Sequence, residues 1–388
     1  MKKLAIVTSH PIQYYAPWFR YLANTTGLRI KVFYLWDFGV TEQIDVDFKQ
    51  AFKWDIPLLD GYNYEFVPNV NSNPGTHSFW GLQNPSLVSK VEEYSPNAVL
   101  LMIYNYASCY RFLWQWNARK IPLIFRGDSH RLISSVGIKA WAKRQFISQI
   151  YRRFAACLYV GKANYEYFRC HGVKPENLFL SPHTVDNNRF FAQAETANQE
   201  AITWKKELGI PQEHTVVLFA GKFEDKKRPT DLLQSFLKAN ISDASLLFVG
   251  AGSLEDELKL QAANHPNIYF APFQNQSLMP RTYAAADLVV LPSYGNYETW
   301  GLAINEAMCL SRAIIVSSHV GCAQDLVHPG QNGLIFPAGN VAELTKSLQL
   351  ALSDRERLQM WGEESQKIIS NYSYAQATEG LLAALKHI

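Results

Sequence analysis

The chain has 388 residues, 48% of them hydrophobic and 18% charged, and 37 Lys plus Arg against 34 Asp plus Glu give a formal net charge of +3. This composition excludes a disordered or fibrous protein, and the length suits two or three domains, each closing its own core. The near-neutral total hides a polarity: the first 185 residues carry 21 Lys plus Arg against 12 Asp plus Glu, the remainder 16 against 22.

Taken in chain order, Met1-Lys2-Lys3 followed by Leu4-Ala5-Ile6-Val7 opens like a secretory signal, but the apolar run stops after four residues. It reads as a buried first strand. Further β-branched apolar runs at 30–34, 98–103, 123–126 and 157–160 are each followed by a segment of helical period. That alternation predicts a parallel sheet flanked by helices. Within this half, residues 129–165 contain no acidic side chain but carry Arg131, Lys139, Lys143, Arg144, Arg152, Arg153 and Lys162, interleaved with Trp141, Phe146, Ile147, Ile150 and Phe154. Such a stretch is either a solvated helix face or a surface that meets an anionic membrane.

Turn-forming residues at 181–187 mark a domain boundary, giving units 1–185 and 186–371. The pattern then restarts, with strands expected at 216–220, 245–249, 268–271, 288–291 and 313–316, and helices at 229–239, 254–263, 277–285 and 301–310. The expected architecture is α/β, two doubly wound units in tandem. Ligands of such units bind beyond the C-terminal ends of the strands, here in a cleft between the two. Cys109, Cys157, Cys170, Cys309 and Cys322 are odd in number and lack a Cys-x-x-Cys pair, so neither a zinc site nor a disulfide framework is expected, and a reducing cytosol is the natural compartment. No apolar window is long enough to span a membrane.

Two segments carry chemistry. The first, from Leu291-Pro292-Ser293 to Gly301-Leu302 and on to Met308, leaves a strand and enters a helix whose first N–H groups form an anion site. Glu298 and Glu306 flank that site, and paired carboxylates suit vicinal hydroxyls, although acidic residues at a helix start also complement its dipole. The second, Ala220-Gly221-Lys222-Phe223 followed by Lys226-Lys227-Arg228-Pro229, places cations after a strand in an otherwise acidic half. They would neutralise a leaving diphosphate, or form a solvated basic turn.

As a set, the Glu298 and Glu306 pair, the Pro-Ser loop before it, the two glycine turns at Gly221 and at Gly250-Ala251-Gly252, and the run Ala285-Ala286-Asp287-Leu288 resemble the retaining glycosyltransferases of family 4. The resemblance is dense over 215–340. It implies a GT-B fold of two Rossmann-like domains, a nucleotide diphosphate sugar donor, and no cofactor or catalytic metal. Residues 1–185 would bind the acceptor, and residues 186–371 the donor. The segment 372–388 resembles the helix that crosses back to the first domain. By matching positions, Gly221, Lys222 and Lys227 would meet the diphosphate and Glu306 the ribose. Glu298 would contact the donor sugar, and the backbone of Trp300, Gly301 and Leu302 would approach phosphate or sugar.

The first half departs from the family pattern. Ser9-His10-Pro11-Ile12-Gln13-Tyr14-Tyr15 stands where the family has a glycine-rich loop, and Arg126, Asp128 or His130 occupies the place of its histidine. Glu298, His130 and Asp128 are therefore the candidate catalytic residues. His10, Tyr14, Arg126 and His183 are candidates for the acceptor or the cleft, His183 equally for a hinge. The implied reaction is transfer of a sugar to a hydroxyl acceptor, a glycan or glycolipid, with retention, in cell-surface polysaccharide or glycolipid synthesis. Its expected place is the cytoplasm, peripheral on the inner membrane face through 129–165, with no nucleic acid partner. A sugar-nucleotide epimerase and a non-catalytic two-lobed carbohydrate-binding protein are the alternatives.

Overall fold

The computed structural model describes residues 2–41, 43–45, 50–118, 120–133, 137–263 and 265–388, so positions 134–136 of the acid-free stretch lie outside the described residues. The first unit runs β1 (Lys3–Thr8), α1 (Ala16–Thr25), β2 (Arg29–Tyr34), a two-stranded antiparallel ribbon β3 (Gln43–Asp45) and β4 (Gln50–Phe52), and β5 (Asn63–Phe66). It continues with α2 (Leu87–Tyr94), β6 (Ala98–Leu101), α3 (Ala107–Gln115), β7 (Leu123–Arg126), α4 (Ile138–Tyr151), β8 (Ala156–Tyr159), α5 (Lys162–Cys170) and β9 (Leu178–Leu180). Seven of these strands form one sheet in the order β5-β2-β1-β6-β7-β8-β9. The pairings are parallel, with Ile6 opposite both Val32 and Leu100.

A 21-residue helix, α6 (Asn187–Glu207), leads into the second unit, its first turn capped by the Asp186 carboxylate, which accepts from Arg189 N at 3.2 Å. There follow β10 (Thr215–Ala220), α7 (Pro229–Ala239), β11 (Ala244–Val249), α8 (Glu255–Ala262), β12 (Ile268–Ala271), α9 (Met279–Ala284), β13 (Leu288–Leu291) and α10 (Leu302–Cys309). The chain ends β14 (Ala313–Ser317), α11 (Ala323–Leu326), β15 (Gly333–Phe336), α12 (Val341–Leu352), α13 (Arg355–Ile369) and α14 (Tyr374–His387). The second sheet is β12-β11-β10-β13-β14-β15, again parallel.

The apolar runs in the sequence are the central strands, buried on both faces: β6, β11 and β13 expose no residue. The strands without a legible run, β5, β9 and β15, are short and lie at sheet edges, where one side needs no burial. Each sheet thus packs helices on two faces, and α14 completes the first sheet although it follows the second in sequence. Its Ala377, Leu381 and Ala384 sit in a core with Leu4, Ile6, Leu100 and Leu158. Ser181 Oγ donates to Ala377 O at 2.9 Å, and Trp18 Nε1 to Thr378 Oγ1 at 3.0 Å. Full burial of a leucine such as Leu381 contributes about 1.5–3 kcal/mol, so this return crossing is part of the fold's stability.

Candidate active site

The C-terminal ends of both sheets face a cleft of about 500 Å³. From the second unit it is lined by Gly221, Lys222, Lys227, Glu298, Trp300, Gly301, Leu302 and Glu306, and from the first by Tyr14, Asp128 and His183. Except for Glu306, which lies one turn inside α10, each position follows a strand or opens a helix, as the topology of a doubly wound sheet requires.

On the second rim, β13 runs into the loop that carries Glu298 and ends at Gly301, the residue before α10. Gly301 has φ +99°, and a Cβ there would meet Leu291 Cδ2 at 2.9 Å, so the turn that aims the helix start at the cleft needs glycine. The N–H groups of Gly301, Leu302 and Ala303 are those a helix leaves without intrahelical partners. A second close approach holds the neighbouring turn: a Cβ on Gly250 would lie 2.0 Å from Gly221 O. The basic loop then sorts its cations. Lys226 pairs with Glu224 at 2.8 Å and Arg228 with Asp231 at 3.0 Å, while Lys222 and Lys227 line the cleft.

Lys227 Nζ donates to Glu298 Oε2, which also accepts from Ser293 Oγ at 2.9 Å. The two residues read from the sequence as diphosphate and sugar contacts are thus tied to one another. Glu306 is enclosed, with only 2% of its surface exposed. Tyr283 OH donates to its Oε2 at 2.8 Å and Gln276 Nε2 to its Oε1 at 3.3 Å. Burial raises its carboxyl above the usual carboxylate range, against hydrogen bonds from Tyr283, Gln276 and Tyr14 and the charge of Arg189. Tyr14 therefore brings the segment after β1 to the carboxylate of the opposite domain.

Trp300 is buried, and its indole N–H donates to Asn305 Oδ1 at 2.8 Å; Asn305 Nδ2 in turn donates to His183 O at 3.1 Å. His183 stacks on Tyr15, with centroids 5.8 Å apart and an interplanar angle of 9°. Its Nε2 faces Asp128 Oδ2 at 3.3 Å, and burial lowers its pKa. Asp128 also accepts from Thr299 Oγ1 at 2.7 Å. Burial alone would lift this carboxyl, but the hydrogen bonds from His183 and Thr299 and the Arg126 charge hold it at about 2.

Three of the sequence expectations require correction. Arg126 does not reach the cleft: it is buried over the Tyr15 and Trp18 rings and donates to Ser181 O at 3.3 Å and Pro182 O at 3.1 Å. It pins the end of β7 to the interdomain turn. His10 lies off the cleft, edge-on to Trp36 and Phe38 at 5.6 Å each, and burial depresses it to about 4. His130 has both ring nitrogens engaged: Nδ1 accepts from Leu132 N at 3.4 Å, which leaves Nε2 as the donor to Glu298 O at 3.1 Å. It braces the Glu298 loop across the domains. The sequence reading passed over Thr299, Gln276, Tyr283 and Arg189. Thr299 was discoverable by its place beside Glu298, whereas the other three come from helices with no motif of their own. Among the described residues no three His, Cys, Asp or Glu side chains gather where they could hold a metal ion, and all five cysteines are free.

Two Rossmann-like parallel sheets facing one cleft define the GT-B class of glycosyltransferase folds, and the solved structures agree. The Anabaena protein HepE, solved in complex with UDP, superposes with a TM-score of 0.75 at 17% identity over 100% of both chains. Sucrose-phosphate synthase from Thermosynechococcus elongatus gives 0.71 at 19% identity over 98% of both. Residues 200–368, within the second domain, match the family described as Glycosyl transferases group 1. A D-inositol 3-phosphate glycosyltransferase of Nocardia farcinica is 28% identical over 190 residues, 46% of this chain and 42% of that protein. An uncharacterised glycosyltransferase of Methanocaldococcus jannaschii is 27% identical over 160 residues, 40% of each. The chain thus spans about two fifths of the length of the curated relatives it matches.

Proposed function

We propose that this protein transfers a sugar from a nucleotide diphosphate donor to a hydroxyl acceptor with retention at the anomeric carbon and without a catalytic metal. The observation that carries the reading is the convergence of Lys222, Lys227, the start of α10 and two carboxylates on one cleft. As the bond from sugar to phosphate breaks, negative charge grows on the diphosphate. The cations and the α10 N–H groups are fixed where they stabilise it, with no reorganisation at the moment of reaction. The Lys227 and Glu298 pair is poised for exchange: phosphate takes the ammonium, and the released carboxylate accepts from hydroxyls of the donor sugar. Glu306, opened from under Tyr14, would accept from the ribose. Retention follows from attack on the same face as the departing phosphate, whose oxygen takes the acceptor proton.

The setting we propose is cell-surface polysaccharide or glycolipid synthesis at the inner membrane face. No helix among the described residues is long and apolar enough to cross a membrane, but α4 exposes Ile138, Trp141 and Phe146 beside Lys139, Lys143 and Arg144. That mixture suits a peripheral contact with anionic lipid.

The test is a screen of nucleotide sugars with and without hydroxyl acceptors, beginning with UDP-sugars because HepE was solved with UDP. Glu298→Ala should cut turnover by about 10³-fold while nucleotide affinity changes far less. A new sugar nucleotide formed from donor alone would instead mark an epimerase, and unchanged transfer by the variant would remove Glu298 from the site.

A further inference from the structure

A second cavity, of about 450 Å³, adjoins the donor cleft; Thr299 lines both. It lies between α4, α5 and the Glu298 loop, and its wall includes His130, Arg131, Trp141, Lys143, Arg144 and Cys170. Three cations and no carboxylate appear among the described residues of that wall. The charges act together on His171 at its base, whose pKa is lowered first by burial and then by Arg144, Arg131 and Lys143. Lys143 makes no hydrogen bond or ion pair among the described residues, and Arg144 Nε donates only to a backbone carbonyl, Cys170 O, at 2.8 Å. Lys143 and Arg144 are exposed to solvent and no carboxylate among the described residues lines the cavity beside them, so their charge is open to an anionic ligand. Beside it, the indole of Trp141 is 63% exposed, a flat apolar surface of the kind on which sugar rings stack.

We infer that this cavity is the acceptor site and that the acceptor carries a phosphoryl group, held by Lys143, Arg144 and Arg131 while its body runs past Trp141 toward Thr299 and the donor cleft. The inference rests on the transferase reading and adds the chemical class of acceptor. It also gives the acid-free stretch 129–165 a task in substrate choice. The phosphoryl group belongs either to a soluble sugar phosphate or to a lipid headgroup presented at a membrane, and the experiment separates these sources.

Cys170 provides a readout independent of catalysis. It is a half-buried thiol at the cavity wall, and the other four cysteines are buried. Its alkylation rate by N-ethylmaleimide in the intact protein therefore reports occupancy. Glucose 6-phosphate, glucose, and vesicles of phosphatidylglycerol in phosphatidylcholine, against pure phosphatidylcholine, are the probes. At ten times its dissociation constant, a phosphorylated probe should slow labelling about tenfold. Lys143→Glu should weaken that protection about tenfold, with thermal unfolding confirming that the variant folds. Protection by glucose 6-phosphate assigns a soluble acceptor, and protection by anionic vesicles alone a lipid-borne one.

The proposal is overturned if glucose protects as well as glucose 6-phosphate, if no phosphorylated probe protects, or if Lys143→Glu leaves protection unchanged. Protection lost in Lys227→Met but kept in Lys143→Glu would place the anion in the donor cleft and also overturn it. Because no transfer is measured, a failure of the transferase reading cannot be mistaken for any of these.

Discussion

The two rims of the cleft hold their polar side chains differently. On the second rim, Lys227 and Glu298 are partners within one domain, opposite charges that a charged, hydroxylated ligand can part. On the first rim, Asp128 and His130 reach across to the other domain, to Thr299 Oγ1 and Glu298 O, while Arg126 and His183 are buried beneath them. The first kind of contact is exchangeable and suits chemistry. The second fixes the loop that bears Glu298 and suits alignment. Further bridges join the domains in the same way, among them Lys162 N to Asp325 Oδ1 at 3.1 Å and Asn275 Nδ2 to Lys53 O at 2.8 Å. Asp128 and His130, read from the sequence as catalytic, make their hydrogen bonds to Thr299 and Glu298, and the role we propose for them is to position that loop.

Substitutions on the two rims should separate these roles. Lys227→Met removes a cation from the growing charge of the leaving group and should lower kcat/KM by about 10²–10³-fold, with the nucleotide's affinity also reduced. Steady-state kinetics with the donor found by screening measure it. Asp128→Asn, by contrast, should cost only about tenfold, because the amide oxygen can still accept from Thr299. The double variant Asp128→Ala, Thr299→Val, in which each single change removes the contact outright, should be little worse than either single change, the mark of residues acting through one contact. If Asp128→Asn cost as much as Lys227→Met, Asp128 would belong at the reacting atoms and the division of labour between the rims would fail.

The same difference decided what could be read from the sequence. Central strands announce themselves because both faces are buried, and the second rim because phosphate and hydroxyl recognition restricts residue types at short spacing: Gly221 with Lys222 and Lys227, Glu298 with Glu306. The first rim's residues are constrained by partners far away in the chain. Nothing near Asp128 in sequence signals Thr299, and nothing near Arg126 signals the carbonyls of Ser181 and Pro182. His10 illustrates the error most plainly. A histidine just after a first strand looks like a rim ligand, yet the deciding fact is the pair of rings, Trp36 and Phe38, contributed by the next strand's loop.

His10 also yields the smallest effect, one that touches stability rather than turnover. Its folded pKa of about 4 lies below the ordinary 6.5. Above pH 6.5 the ring is neutral whether the chain is folded or not, and it contributes no pH dependence. Below 6.5 the unfolded chain takes up a proton that the folded one refuses, so stability falls as pH drops from about 6.5 toward 4, by up to about 3 kcal/mol from this residue. Asp128, held at about 2, keeps its contribution throughout that window and loses it only as pH falls below the ordinary carboxylate range. His10→Phe retains the aromatic packing and removes the proton site. Urea unfolding should therefore show the variant gaining on the parent by about 2 kcal/mol between pH 7.5 and 5, with turnover at neutral pH unchanged. A stability difference that does not move with pH would mean that His10 already has a proton partner. A loss of turnover at neutral pH would return it to the rim, beside the residues from which the structure separates it.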